Sequence, residues 1–336
     1  MNVVLFKIML SNIMSKFLKI RINSSNEINS YKNESNLDEN DPSLDNKEKY
    51  NEIEILVKTR DSMILLAKKN FQKIIVKLQP KKFYVAGTSE ENKDWKYKNE
   101  ARALNILDHP NIIKIIKADP KVFRNGKEYN EIQLQYAEKG DLYKFYKENE
   151  KNGRYITEIE LKNLIKPILL ALKYAYDEHG ISHRDIKLEN IFIQSDNTVL
   201  LGDWGLCSFE SRNRKCTSSY GTLDYMAPEV LCREKYYSNK TDIWSVAVLM
   251  FSLITHTKPY GNTRRRKGPK DEGWKDEWLD TILKCNWKRW WLSHEFCTEK
   301  VKLFTPEFKN LIENMLNPDS EKRYSIDQTL DDPWFN

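Results

Sequence analysis

Between residues 183 and 190 the chain reads His183-Arg184-Asp185-Ile186-Lys187-Leu188-Glu189-Asn190, and thirteen residues after Asn190 stands Asp203, followed by Trp204-Gly205. These side chains offer a carboxylate that can take a proton and carboxylate and carboxamide oxygens of the kind hard cations accept. They also offer an ammonium group that meets an anion as a point charge. A solvated surface loop has a similar composition, so the octet gains meaning only from what surrounds it.

The octet needs a rigid element to deliver it, and the residues before it supply one. Thr157 and Glu160 fit a capping box, in which each side chain satisfies an open backbone N–H at a helix start. Leu161, Leu164, Ile165, Ile168, Leu169 and Leu172 then recur at three- and four-residue steps and form one apolar stripe. Gly180 ends that helix. Asp203 follows an apolar TVLLG run that reads as a strand, and further upstream EIEILVK, SMILLA and KIIVKL read as strands rich in Ile, Val and Leu.

With its spacing considered, the octet resembles the catalytic loop of eukaryotic-type protein kinases, H-R-D-x-K-x-x-N. Asp203-Trp204-Gly205 resembles the D-F-G motif with Trp in place of Phe. Gly221-Thr222-Leu223-Asp224-Tyr225-Met226-Ala227-Pro228-Glu229 resembles the segment that ends in A-P-E, and Asp242-Ile243-Trp244-Ser245 the helix start that follows it. Arg323 stands where the family keeps an arginine paired with the A-P-E glutamate, here Glu229. The resemblance implies Asp185 as the base that orients and deprotonates an acceptor hydroxyl. It implies Asn190 and Asp203 as magnesium ligands and Lys187 as a charge at the moving phosphoryl group of ATP. Lys187 and Thr222 together point to serine/threonine acceptors.

The amino-terminal half continues the pattern. Lys77, in Ile74-Ile75-Val76-Lys77, resembles the V-A-I-K strand lysine, and Glu100 the helix glutamate that holds it. Leu134-Gln135-Tyr136-Ala137 reads as gatekeeper and hinge. Val57, Ile64, Ile75, Leu134, Gln135, Ala137 and Asp141 are the expected nucleotide contacts, with Lys77, Asn190 and Asp203. The family's glycine-rich loop is the main departure: no glycine precedes Gly87, and Val57-Lys58-Thr59-Arg60-Asp61-Ser62 fills its place. A Cβ there obstructs close approach of backbone to phosphate. Ile75 also replaces the small alanine over adenine. Two readings follow: an enzyme in which Lys58 or Arg60 compensates with charge, or a pseudokinase that binds without turnover.

The resemblance implies an α+β, two-lobed fold. A small antiparallel sheet with one helix occupies residues near 51–134, and a larger, mainly helical lobe begins at about 138. Residues 1–50 are an extension: an apolar start, then a stretch with seven asparagines in 21–50 that reads as a linker. The kinase domain takes 51–336, with 51–137 as N-lobe and hinge and 138–336 as C-lobe. An insert near 261–295 contains RRRKGPK at 264–270 and Trp274, Trp278, Trp287, Trp290 and Trp291. Such tryptophans more often pack an insertion onto its own domain than bind a partner. The chain ends at DPWFN after the last expected helix, so no carboxy-terminal regulatory segment is expected.

Regulation and partners follow from the same motifs. Arg184 before Asp185 implies pairing with a phosphate on the activation segment, with Ser218 the first candidate and Thr217 the second. Asp141 and Glu189 lie near the expected substrate groove, which favours basic peptides among protein substrates. The overall look is nearest the calcium/calmodulin-dependent and aurora-like groups. The 55 basic and 49 acidic residues give a net charge of +6, too mixed to imply a nucleic-acid partner. Lys7, Asn12, Lys16 and Lys19 interrupt the apolar start and argue against a spanning helix, leaving a membrane-surface or targeting helix as the minor reading of residues 1–20. Five scattered cysteines without a C-x-x-C pair suit a reducing compartment, cytoplasm or nucleus. No G-x-x-x-x-G-K or H-E-x-x-H occurs, so other nucleotide or metalloprotease chemistry lacks support. A lipid or small-molecule kinase is disfavoured by GTLDYMAPE, which builds a peptide shelf.

Overall fold

The computed structural model describes residues 50, 52–59, 62–81, 94–124, 127–209, 215–260, 281–297 and 299–336. The amino-terminal extension up to residue 49, Arg60, and Trp274 and Trp278 with the 264–270 basic run therefore lie outside the described residues, while Tyr50, assigned to the extension, belongs to the packed domain. Strands β1 (Glu52–Lys58), β2 (Met63–Lys69), β3 (Gln72–Pro80), β4 (Ile115–Arg124) and β5 (Lys127–Gln135) form one antiparallel sheet in the order β1-β2-β3-β5-β4.

The period of two along β2 and β3 sorts their side chains onto two faces. Met63, Leu65, Ala67, Ile74, Val76 and Leu78 are buried with Tyr50 and Tyr129 in a small core. Ile64, Leu66, Ile75 and Lys77 alternate with them and stay half-buried on the other face. Register places Ile64 opposite both Val57 and Lys77, and Ile75 opposite Leu134. Val57, Ile64, Lys77, Ile75 and Leu134 are thereby gathered on the face that meets the cleft.

Helix α1 (Trp95–Ile106) packs beside β4 and β5. Past Gln135 the chain becomes helical: α2 (Leu142–Lys151), then α3 (Glu158–His179), whose capping box of Thr157 and Glu160 is formed and whose end is Gly180 in the left-handed conformation at φ 63°. Leu161, Ile165, Ile168, Leu169 and Leu172 are buried, with Leu164 packed at the margin. After short ribbons β6 (Ile181–Ser182) with β9 (Ser208–Phe209), and β7 (Ile191–Ile193) with β8 (Val199–Leu201), come α4 (Pro228–Leu231) and α5 (Ser238–Thr255). Helix α5 is buried along nearly its whole length and forms the axis of the lobe. Helices α6 (Trp287–Cys297), α7 (Pro306–Met315) and α8 (Ile326–Leu330) complete it.

Arg323 and Glu229 are both buried and pair through two hydrogen bonds of 2.6 and 3.0 Å. Trp290 is fully buried and donates to the Pro259 carbonyl at 2.9 Å, and Trp291 donates to Glu313 at 2.7 Å. The described tryptophans of the insert thus pack onto their own domain. No helix among the described residues is long and apolar enough to cross a membrane.

Candidate active site

Three elements bring three charges together in the cleft. Lys77 from β3 lies 2.7 Å from Glu100 of α1 and 2.8 Å from Asp203, which follows β8. Burial alone would lower the Lys77 ammonium, but the Asp203 and Glu100 carboxylates more than reverse that and hold it charged. Burial likewise works to raise Asp203, yet the Lys77 ammonium wins and keeps its carboxyl well below the usual range. Glu100 has no exposed side chain, and burial raises its pKa against the opposing pull of Lys77. Asp203 sits at φ 57°, a left-handed conformation that is strained for a side chain with a Cβ.

The octet is held from below by α5. Asp242 accepts from the backbone N–H of His183 at 2.8 Å and of Arg184 at 2.7 Å. Burial pushes its carboxyl up to about 7 against those two donors. The His183 ring is buried: Nδ1 accepts from Asp185 N–H at 3.2 Å, so Nε2 donates to Gly202 O at 2.9 Å. Burial lowers its pKa and keeps it neutral. Trp204 is fully buried, packs edge-on against His183 at 4.6 Å and donates to Leu201 O at 3.4 Å. The larger ring fits the position of the family's Phe.

Asp185 accepts hydrogen bonds on both oxygens. Thr222 donates to Oδ1 at 2.7 Å; Lys187 at 2.8 Å and Asn190 at 3.2 Å donate to Oδ2. Lys187 also reaches Thr222 at 3.1 Å. Gly221 permits this closeness: its φ is 127°, and a Cβ there would lie 2.7 Å from Arg184 O. Asn190 spends its NH2 on Asp185, and among the described residues no hydrogen bond takes its Oδ1 or the second carboxylate oxygen of Asp203. Two such oxygens suit a small hard cation that draws its other ligands from phosphate and water. No cluster of three or more His, Cys, Asp or Glu among the described residues would hold a metal alone.

Other expected positions fall as follows. Gln135 is the last residue of β5, its N–H donating to Lys114 O at 2.9 Å, and Ala137 follows just beyond the sheet. Asp141 caps α2, accepting from Lys144 N–H at 2.9 Å, a structural task that its sequence context did not reveal. The β1–β2 turn is closed by Thr59 N–H to Ser62 O at 2.9 Å and by Ser62 N–H to Thr59 Oγ1 at 3.0 Å. Arg184, at φ 64°, donates through its guanidinium to Leu206 O, Cys207 O and the Ser218 hydroxyl, the last at 2.9 Å. Thr217 is exposed. Beside Asp185 a cavity of about 180 Å³ is lined by Tyr143, Tyr146, Glu189, Thr222, Tyr225 and His256 among others. Sequence reasoning missed the positioning roles of His183 and Asp242 at Asp185, although the D-x-W-S helix start was their signal.

The Protein kinase domain family matches residues 75–335. Over 295 residues the chain is 26% identical to the DNA damage response protein kinase DUN1 of Saccharomyces cerevisiae, an overlap of 80% of this chain and 51% of that protein. The chain therefore spans about half the length of that curated relative. With the two-lobed fold and the ordered motifs, this match over most of the sequence settles its membership: the chain belongs to the eukaryotic-type protein kinase family.

Proposed function

We propose that the chain is a serine/threonine protein kinase that transfers the γ-phosphoryl group of ATP to protein hydroxyls. The observation that carries this is the assembled Lys77–Glu100–Asp203 cluster, at 2.7 and 2.8 Å, facing an ordered Asp185. Bound magnesium and ATP would supply the transferable group and neutralise its charge. Asn190 Oδ1 and Asp203 would hold the metal, and Lys77, fixed by Glu100, would meet the phosphates. Val57, Ile64, Ile75 and Leu134 would enclose the base, with Gln135 and Ala137 offering backbone groups. Asp185 would receive the hydroxyl proton of the acceptor as Thr222 and Lys187 keep its carboxylate oriented. Lys187 would then face the moving phosphoryl group as a fixed positive charge.

The domain is taken from residue 51 because β1 and β2 continue the register of β3. Glu189, exposed at the rim of the cavity beside Asp185, supports basic protein substrates. Lys147 and Lys258 also line it, but the first pairs with Glu150 and the second lies over the Tyr225 ring. Ser218 is the proposed regulatory phosphosite, supported by its contact with Arg184. The free thiols of Cys207 and Cys285 accord with a cytoplasmic or nuclear setting.

A second reading has one specific observation in its favour. The β1–β2 turn carries no glycine and is closed by Thr59 and Ser62, which suits a pseudokinase scaffold. Radiolabelled phosphate transfer to a basic protein separates the two. Transfer by the wild type that vanishes in Asp185→Asn is expected; equal signals from both would leave only the scaffold.

A further inference from the structure

The far end of the activation segment touches the helix that carries Glu100. The Tyr220 ring lies against Trp95, the first residue of α1, with centroids 4.8 Å apart and planes at 34°. The Arg184 guanidinium lies over the same Tyr220 ring at 5.4 Å. One tyrosine thus links the catalytic loop of the large lobe to the helix of the small lobe. It is 42% exposed, so burial alone does not account for the arrangement.

Helix α1 needs such a link at its start. Its N-cap, Asp94, makes no side-chain cap hydrogen bond, and its first turn contains no acidic residue. Both omissions remove the usual local stabilisation of a helix start, so that turn depends on tertiary contacts. The next turns have theirs: Asn99 donates to Cys207 O at 3.2 Å, and the Arg102 guanidinium lies over Phe209 at 4.0 Å. Trp95 supplies a contact at the first turn, with Asp94 accepting from Asn130 at 2.8 Å.

We propose that Tyr220 and Trp95 form an aromatic bridge that positions α1, so that Glu100 reaches Lys77 when the activation segment is seated on Arg184. These are positioning residues, since neither touches the reacting groups. The inference rests on the kinase reading of the site. A tilted aromatic pair with a cation over one ring is a contact whose loss shifts a two-state equilibrium measurably.

The test uses the full chain. Trp95→Ala and Tyr220→Ala should each lower phosphate transfer roughly three- to tenfold, the range an aromatic pair supports. The double variant should be no slower than the slower single one, and Tyr220→Phe should keep the wild-type rate. In a Glu100→Gln background, Trp95→Ala should cost nothing further, because its work is done through Glu100. Hydrogen exchange at the amides of residues 95–100 should quicken in both alanine variants while that of α3 stays unchanged. Multiplying losses in the double variant, or unchanged exchange in α1, would overturn the bridge. The exchange arm needs no turnover, so a wild type without phosphate transfer would sink the enzyme reading while exchange in α1 still decides for or against the bridge. Should Tyr220→Ala fail to fold, Trp95→Ala carries the test alone.

Discussion

The floor and the roof of the cleft are built by different means. On the floor, side chains do the holding: Asp242 fixes the backbone of His183 and Arg184, and Thr222, Lys187 and Asn190 occupy both oxygens of Asp185. On the roof the family relies on bare backbone, and here the β1–β2 turn carries side chains that hydrogen-bond to the turn itself. Chemistry that depends on charges at fixed places tolerates no loss of those charges. A cover that depends on close approach can lose its glycines and still close, at a cost in nucleotide affinity rather than in the chemical step.

The sharpest way to break this comparison is to strike the floor. Asp185→Asn keeps the shape and removes the proposed base, so phosphate transfer should fall about 10²- to 10⁴-fold at unchanged thermal stability, measured with labelled ATP. A fall in ATP affinity alone would place the effect on the wrong surface. Next comes the proposed regulatory contact, Arg184 to Ser218. Ser218→Ala should reduce activity about tenfold, the worth of one charge-assisted hydrogen-bond set. Unchanged steady-state rates would show that Arg184 is satisfied without phosphate.

The roof should respond more gently and in the opposite direction. Thr59→Gly with Ser62→Gly frees backbone near the phosphates and should lower the KM for ATP roughly threefold with kcat nearly constant. An unchanged KM would mean that the turn does not approach the nucleotide. The smallest effect concerns acid. Asp203 has its pKa depressed by Lys77 in the folded state. The stability it contributes is therefore present above the ordinary carboxylate range, near 4, and is lost as pH falls below it. Urea midpoints followed from pH 6 to pH 3 should drop less steeply in Asp203→Asn than in the wild type.

The floor was legible in the sequence because its parts sit at nearly fixed spacings, from His183 to Asn190 and on to Asp203. Tethers of a few residues leave little freedom, and the apolar stripe from Leu161 to Leu172 announced the helix that delivers them. The fold class followed from the resemblance that those motifs carry. What stayed hidden depends on pairs far apart along the chain or on local bonding without a motif. Trp95 and Tyr220 meet from distant parts of the chain, and neither side chain alone differs from an ordinary surface aromatic. The capping bond of Asp141 could not be read because it depends on where α2 begins. The Thr59–Ser62 closure could not be read because neither residue type specifies a turn alone. Packing of the insert's tryptophans was expected, but the partners of Trp290 and Trp291, the Pro259 carbonyl and Glu313, were not legible.

The left-handed backbone at Arg184 and Asp203 has a consequence for the molecule's durability. Each conformation stores about 1–3 kcal/mol in a residue with a Cβ, retained because neighbouring bonds overdetermine it. Glycine at either place would relax the chain while erasing a charged group. That relief would be set against the Asp203 ion pair with Lys77 and the hydrogen bonds that Arg184 gives Leu206, Cys207 and Ser218, so the strain is held in place by the same contacts that give the cleft its charges.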